Sequence, residues 1–161
     1  MRTVRVFPRE IARIQPLWDL HRCRGMSKHL PGRINETTRL IIGGAIRVHR
    51  VLGPGLFESA YELCLVYELR RAGLDIVTGQ SVPICYEGVT LATGYRLDIV
   101  VNQLVIIELK SVNALAPIHT AQMITYLKLT GLPVGLLINF NVPILKNGIK
   151  RLLNPDRART P

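Results

Sequence analysis

Asp98, Glu108 and Lys110 are the residues of this chain whose types and spacing can do chemistry together. Along Leu104 to Lys110 (LVIIELK) alternate side chains share a face, so Ile106, Glu108 and Lys110 lie opposite Val105, Ile107 and Leu109. A run of Leu, Val and Ile marks a buried strand, and a carboxylate and an ammonium at its end must be paired, solvated or bound to something. Asp98 sits in a similarly apolar run, LDIVV, and also needs a partner. Mg²⁺ or Mn²⁺ would meet that need, because magnesium takes one or two carboxylates plus waters and phosphate oxygens. The main-chain carbonyl of Leu109 could add an oxygen. Such an ion polarises a phosphate and acidifies a water, while Lys110 orients the attacking water or offsets charge on the phosphorane. That chemistry is phosphodiester hydrolysis. The same residues also fit a plainer reading, in which Glu108 and Lys110 form a surface salt bridge and Asp98 is an ordinary edge charge. Short acidic patterns recur by chance, and spacing alone does not choose.

Two helices are expected before these strands. Asn35 reads as an N-cap, with Glu36 in the first turn and Ile41, Ala45, Val48 and Leu52 at helical spacing before Gly53. Gly53-Pro54-Gly55 breaks the chain, and a second helix runs from Phe57 to Ala72, stopped by Gly73. Strand signals follow at Ile76–Val77, Val82–Tyr86, Tyr95–Val101 and Leu104–Lys110. Asn102-Gln103 is short enough to make the last two an antiparallel hairpin. Pro117 to Thr130 reads as a helix with proline at its first position and Gly131 at its end, and Val134 to Asn139 as a buried strand. The order α-α-β-β-β-α-β predicts an α/β domain.

The chain's 161 residues fit one domain, and 48% hydrophobic with 20% charged residues is globular. Its net charge of +10 sits at the ends. Residues 1–33 carry +6, residues 146–161 carry +4, and residues 34–145 balance eight basic against eight acidic side chains. We therefore expect a poorly ordered basic extension over 1–33, a domain over 34–153 and a frayed basic tail over 154–161. Met26 could serve as an alternative initiator. Any salt-sensitive attraction to DNA or RNA would come from the ends. No apolar run approaches the roughly 20 residues of a membrane span, and Arg9, Glu10 and Arg13 interrupt any signal-like stretch. Cys23, Cys64 and Cys85 lack zinc spacing. A cytoplasmic location with reduced thiols fits best.

Asp98, nine residues, Glu108, one residue and Lys110 is a pattern that resembles the PD-(D/E)XK nuclease superfamily, although Leu97 stands where the motif has proline. Residues 55–61 read GxxExxY, and VHRVLGPGLFESAYE is similar to the bacterial GxxExxY protein family, a branch of that superfamily. VPICYEG, YRLDIVV, VIIELKSV, IHTAQMITYLKLTG, GLLINF and LKNGIKRLL continue the likeness in order over about residues 36 to 153.

The resemblance implies a PD-(D/E)XK fold, a small mixed β-sheet flanked by helices, and nuclease-type metal chemistry. It assigns Asp98 and Glu108 as metal ligands, Glu58 as an additional or water-mediated ligand, and Lys110 as the catalytic cation. Tyr61 shares a helix face with Glu58 and is expected to reach the metal edge with it as a catalytic residue. Gln122 and Tyr126 resemble the QxxxY motif of RecB-like nucleases, which lines the active site and helps hold nucleic acid. Arg96 could contact phosphate or pair with Asp98. His49 is expected to pack or cap, His119 in the first turn of the later helix could approach phosphate, and Gln80 matches a family position without a mechanism. Two alternatives stand beside the nuclease: a non-catalytic nucleic-acid-binding module, and a protein-interaction module using the apolar surface of the first helix, for example as a homodimer.

Overall fold

The computed structural model describes residues 30–87 and 89–157, with the side chains of residues 85, 86 and 90–93 left aside. Residues 1–29, with Met26, and residues 158–161 lie outside the described residues. Helix α1 spans Leu30–Leu52. It therefore starts five residues before the expected Asn35 cap, since Pro31 fits a first turn that needs no amide hydrogen. Ile34, Ile41, Ala45 and Val48 form its buried stripe. The chain leaves α1 at Gly53, whose φ is +66° and whose N–H donates to the His49 carbonyl at 2.8 Å.

Helix α2 (Glu58–Arg71) packs on α1, where Gly44 lets Leu69 come close: a Cβ at Gly44 would lie 3.1 Å from Leu69 Cδ2. Strands β1 (Ile76–Tyr86), β2 (Val89–Val101) and β3 (Val105–Lys110) form an antiparallel meander. Asn102 and Gln103, both with φ of +52°, turn β2 into β3 as expected. The Asn102 side chain accepts the Asp75 N–H and donates to Thr37, tying that turn to α1. Helix α3 (Pro117–Thr130) then crosses to β4 (Val134–Asn139), which pairs parallel to β3.

A fifth strand, β5 (Ile149–Leu153), follows a 3₁₀ turn and pairs antiparallel to β4, an element absent from the expected order. The sheet runs β1-β2-β3-β4-β5 and separates two apolar layers. One face carries Ile99, Ile107, Leu136 and Ile138 against α1 and α2, and the other carries Leu97, Val100 and Ile106 against Met123 and Leu127 of α3.

Asn154 is buried and donates to the carbonyls of Leu127 and Leu132, closing the end of α3. The apolar stripe of α1 packs within the core, and nothing among the described residues supports a homodimer. No helix among the described residues is long and apolar enough to cross a membrane.

Candidate active site

The ladder between β2 and β3 stops at the pair Ile99–Ile107, and side chains take over beyond it. The Asp98 carboxylate accepts the Leu109 N–H at 2.8 Å, so the aspartate is fixed against the backbone of the strand that carries Glu108. Strand alternation breaks at this point. Leu97 packs under α3 whereas Ile99 packs under α1 and α2, though residues two apart in a regular strand share a face.

Glu108 keeps the alternation of β3 and lies under α3, only 3% exposed. Lys110 Nζ donates to its Oε1 at 2.6 Å, while Oε2 is buried without a hydrogen-bond partner among the described residues. Burial raises the pKa of Glu108 against the Lys110 hydrogen bond, and the charges of Asp98 and Glu58 push the same way as burial. Burial likewise raises Asp98, opposed by the Leu109 N–H and by Lys110. Burial alone would lower the pKa of Lys110, but its bond to Glu108 and the charges of Glu108, Glu58 and Asp98 raise it. The Glu108–Lys110 pair thus forms, but it is buried at the sheet's end, unlike the surface bridge of the plainer reading.

Glu58 opens α2 within electrostatic reach of these three groups, and its Oε1 accepts the Ser111 N–H at 3.0 Å. Ser111 Oγ donates in turn to the Leu56 carbonyl at 2.6 Å. Among the described residues no three Asp, Glu, His or Cys side chains gather as a ready metal cluster. Asp98 and Glu108 remain as a two-carboxylate donor set, and the unpartnered Glu108 oxygen is the hard oxygen type that a divalent cation takes.

Tyr61 corrects an expectation. It is fully buried and stacked on Phe140 at 4.3 Å, and its hydroxyl donates to the Gly53 carbonyl and accepts the Leu56 N–H. It fixes the loop that delivers Glu58 and does not face the carboxylates. Gln122 and Tyr126 stand on α3, with Tyr126 within electrostatic reach of Glu108 and Asp98. Gln122 Nε2 donates to the Tyr126 hydroxyl, whose pKa is raised by burial and by the charges of Glu108 and Asp98. The Arg96 guanidinium lies over Gly79, where a Cβ would stand 2.6 Å from Nη2, and it acts on both Asp98 and Glu62.

His49 is structural, with Nε2 2.8 Å from the Val142 carbonyl, and His119 Nδ1 accepts the Ala116 N–H as a helix cap. Gln80 Oε1 is buried without a partner among the described residues. Sequence reasoning missed Glu62, whose pKa is raised by burial and by Asp98. Its position four residues after Glu58 was the available signal. It also missed Asn139, beside Lys110 on β4, which accepts the Val112 N–H and donates to its carbonyl.

Residues 35–152 match the family described as the PD-(D/E)XK nuclease superfamily. No curated protein and no solved structure matches the chain significantly. A match over most of the chain, on a mixed sheet with flanking helices, shows that the chain belongs to the PD-(D/E)XK nuclease superfamily.

Proposed function

We propose that this domain is a metal-dependent nuclease that hydrolyses phosphodiester bonds of DNA or RNA, within the GxxExxY branch marked by residues 55–61. The observation that carries the reading is the meeting of Asp98, Glu108 and Lys110 at the end of β3, with one Glu108 oxygen left without a partner. Asp98 and Glu108 would hold Mg²⁺ or Mn²⁺. When bound, that cation supplies positive charge at the scissile phosphate and makes a water more acidic.

The chain's own residues do the rest. Lys110 places its ammonium beside the carboxylates, where it can orient the attacking water and offset charge as the phosphorus gains a ligand. Leu109 N–H fixes the orientation of Asp98. Glu58 holds Ser111 and adds negative charge that favours a cation, directly or through water. Gln122, Tyr126 and Arg96 border the carboxylates and contact the nucleic acid.

Purified protein is expected to cut DNA or RNA with Mg²⁺ or Mn²⁺, and EDTA or Glu108→Ala is expected to abolish cutting. Cleavage that survives both would sink the reading. Binding without cutting, equal with and without chelator, would favour a non-catalytic module.

A further inference from the structure

Next to Glu58 lies an open groove of about 610 Å³, lined by Leu56, Phe57, Ser59, Ser111 and Asn141. Phe57 is 87% exposed, more than any other large apolar side chain among the described residues. The ring does not hang on a loose loop. The Phe57 carbonyl accepts the Ala60 N–H in the first turn of α2, Ser111 Oγ holds the Leu56 carbonyl, and the buried Tyr61 hydroxyl holds the Leu56 N–H. A rigidly carried aromatic with a bare face is a stacking platform.

The groove's chemistry selects what would stack there. Glu58 is the one charged side chain in its lining, so a phosphate is repelled and an uncharged group is favoured. The Ser59 hydroxyl and the Asn141 amide supply the donors and acceptors that a base edge requires. The groove adjoins the carboxylates through Glu58, which belongs to its lining and lies within electrostatic reach of Asp98, Glu108 and Lys110. A base in a duplex is stacked and paired and cannot offer its face to the ring.

We infer that Phe57 stacks an unpaired nucleobase flanking the phosphate at Asp98 and Glu108, which makes single-stranded nucleic acid the substrate class. This rests on the nuclease reading above. The test uses the full chain in EDTA with short single-stranded DNA and RNA carrying a fluorescent adenine analogue, and with the matching duplexes. Binding of a single strand is expected to quench the analogue. Phe57→Ala should raise Kd roughly ten- to a hundredfold and abolish the quench, and Phe57→Trp should keep both. Whichever of the two strands shows that dependence identifies the sugar. Duplexes should bind more weakly and without regard to Phe57. Unchanged Tm will confirm that the variants fold.

Phe57→Ala with wild-type Kd for both single strands, or duplexes binding more tightly than single strands, overturns the inference. A parallel assay in Mg²⁺ separates the two readings. Protein that binds through Phe57 but never cuts refutes the nuclease alone, whereas metal-dependent cutting with Phe57→Ala binding unimpaired refutes base stacking alone.

Discussion

Lys110 Nζ lies 2.6 Å from Glu108 Oε1, and the two side chains leave β3 on the same face with only 14% and 4% of their surfaces exposed. A pair so nearly sealed loses more when broken than a surface pair, because the remaining charge stays buried. Lys110→Ala is expected to cost roughly 3 kcal/mol of stability at neutral pH. The loss should shrink on mild acidification, as Glu108 takes up a proton and ceases to be an unpaired charge. Urea unfolding at the two pH values measures both. Cleavage should fall by about 10²-fold or more. A variant as stable as wild type at neutral pH would show that water already screens the pair.

The pH dependence of the site follows from two carboxylates whose pKa values are raised, first by burial. In the unfolded chain both release their protons in the ordinary carboxylate range. Between that range and the raised values the folded state therefore holds protons that the unfolded state has lost. Their contribution to stability is greatest below this window and falls as pH rises through the raised pKa values. Lys110, also raised, contributes stability that persists through neutral pH and is lost only as pH rises through its own folded pKa. Asp98→Asn and Glu108→Gln are each expected to flatten the fall in unfolding free energy seen between mildly acidic and neutral pH. Protonation also competes with a cation, so the rise in Tm produced by Mn²⁺ should diminish toward acid. A Mn²⁺ shift that grows on acidification would exclude these carboxylates as its source.

What could be read in advance was whatever local periodicity and turn chemistry decide. Pro117 and Gly131 bound α3, and the six buried residues of β4 stand where an unalternating apolar run placed them. β5 was missed because IKRLL exposes most of its length at the sheet's edge and so carries little apolar pattern. Asn35 misled because Ser, Asn and Asp mark helix starts only on average, and Ile34, buried in the core, pulls the helix back past it. Asp98, Glu108 and Lys110 were legible since charge inside apolar strands demands an explanation. The burial of Tyr61 was not, because its hydroxyl's partners, Gly53 and Leu56, become visible only once the loop closes around it.

Tyr61→Phe tests that closure. The variant keeps the ring stacked on Phe140 but leaves the Gly53 carbonyl and the Leu56 N–H without their shared partner. The expected loss is about 1–3 kcal/mol, read by urea unfolding. Cleavage should decline in parallel as Glu58 loses its fixed approach to Ser111. Full stability with abolished cleavage would instead give the hydroxyl a chemical role.

Gln122 and Tyr126 separate binding from folding. Tyr126 is 2% exposed and its ring meets Tyr95 edge-on at 5.2 Å, so Tyr126→Phe retains the packing and frees only the Gln122 amide. The stability cost should be about 1 kcal/mol. Gln122 is only half-buried, and Gln122→Ala should cost less still. If these groups hold the nucleic acid, both variants should raise KM by about tenfold, each lost hydrogen bond being worth roughly 1 to 1.5 kcal/mol. Binding held equally to ground and transition states would leave kcat near its wild-type value. Should kcat fall with KM unchanged, the pair acts on the reacting groups, consistent with the pull of Glu108 and Asp98 on the Tyr126 hydroxyl. Should neither constant move, the Gln122–Tyr126 bond serves only to hold α3 against the sheet.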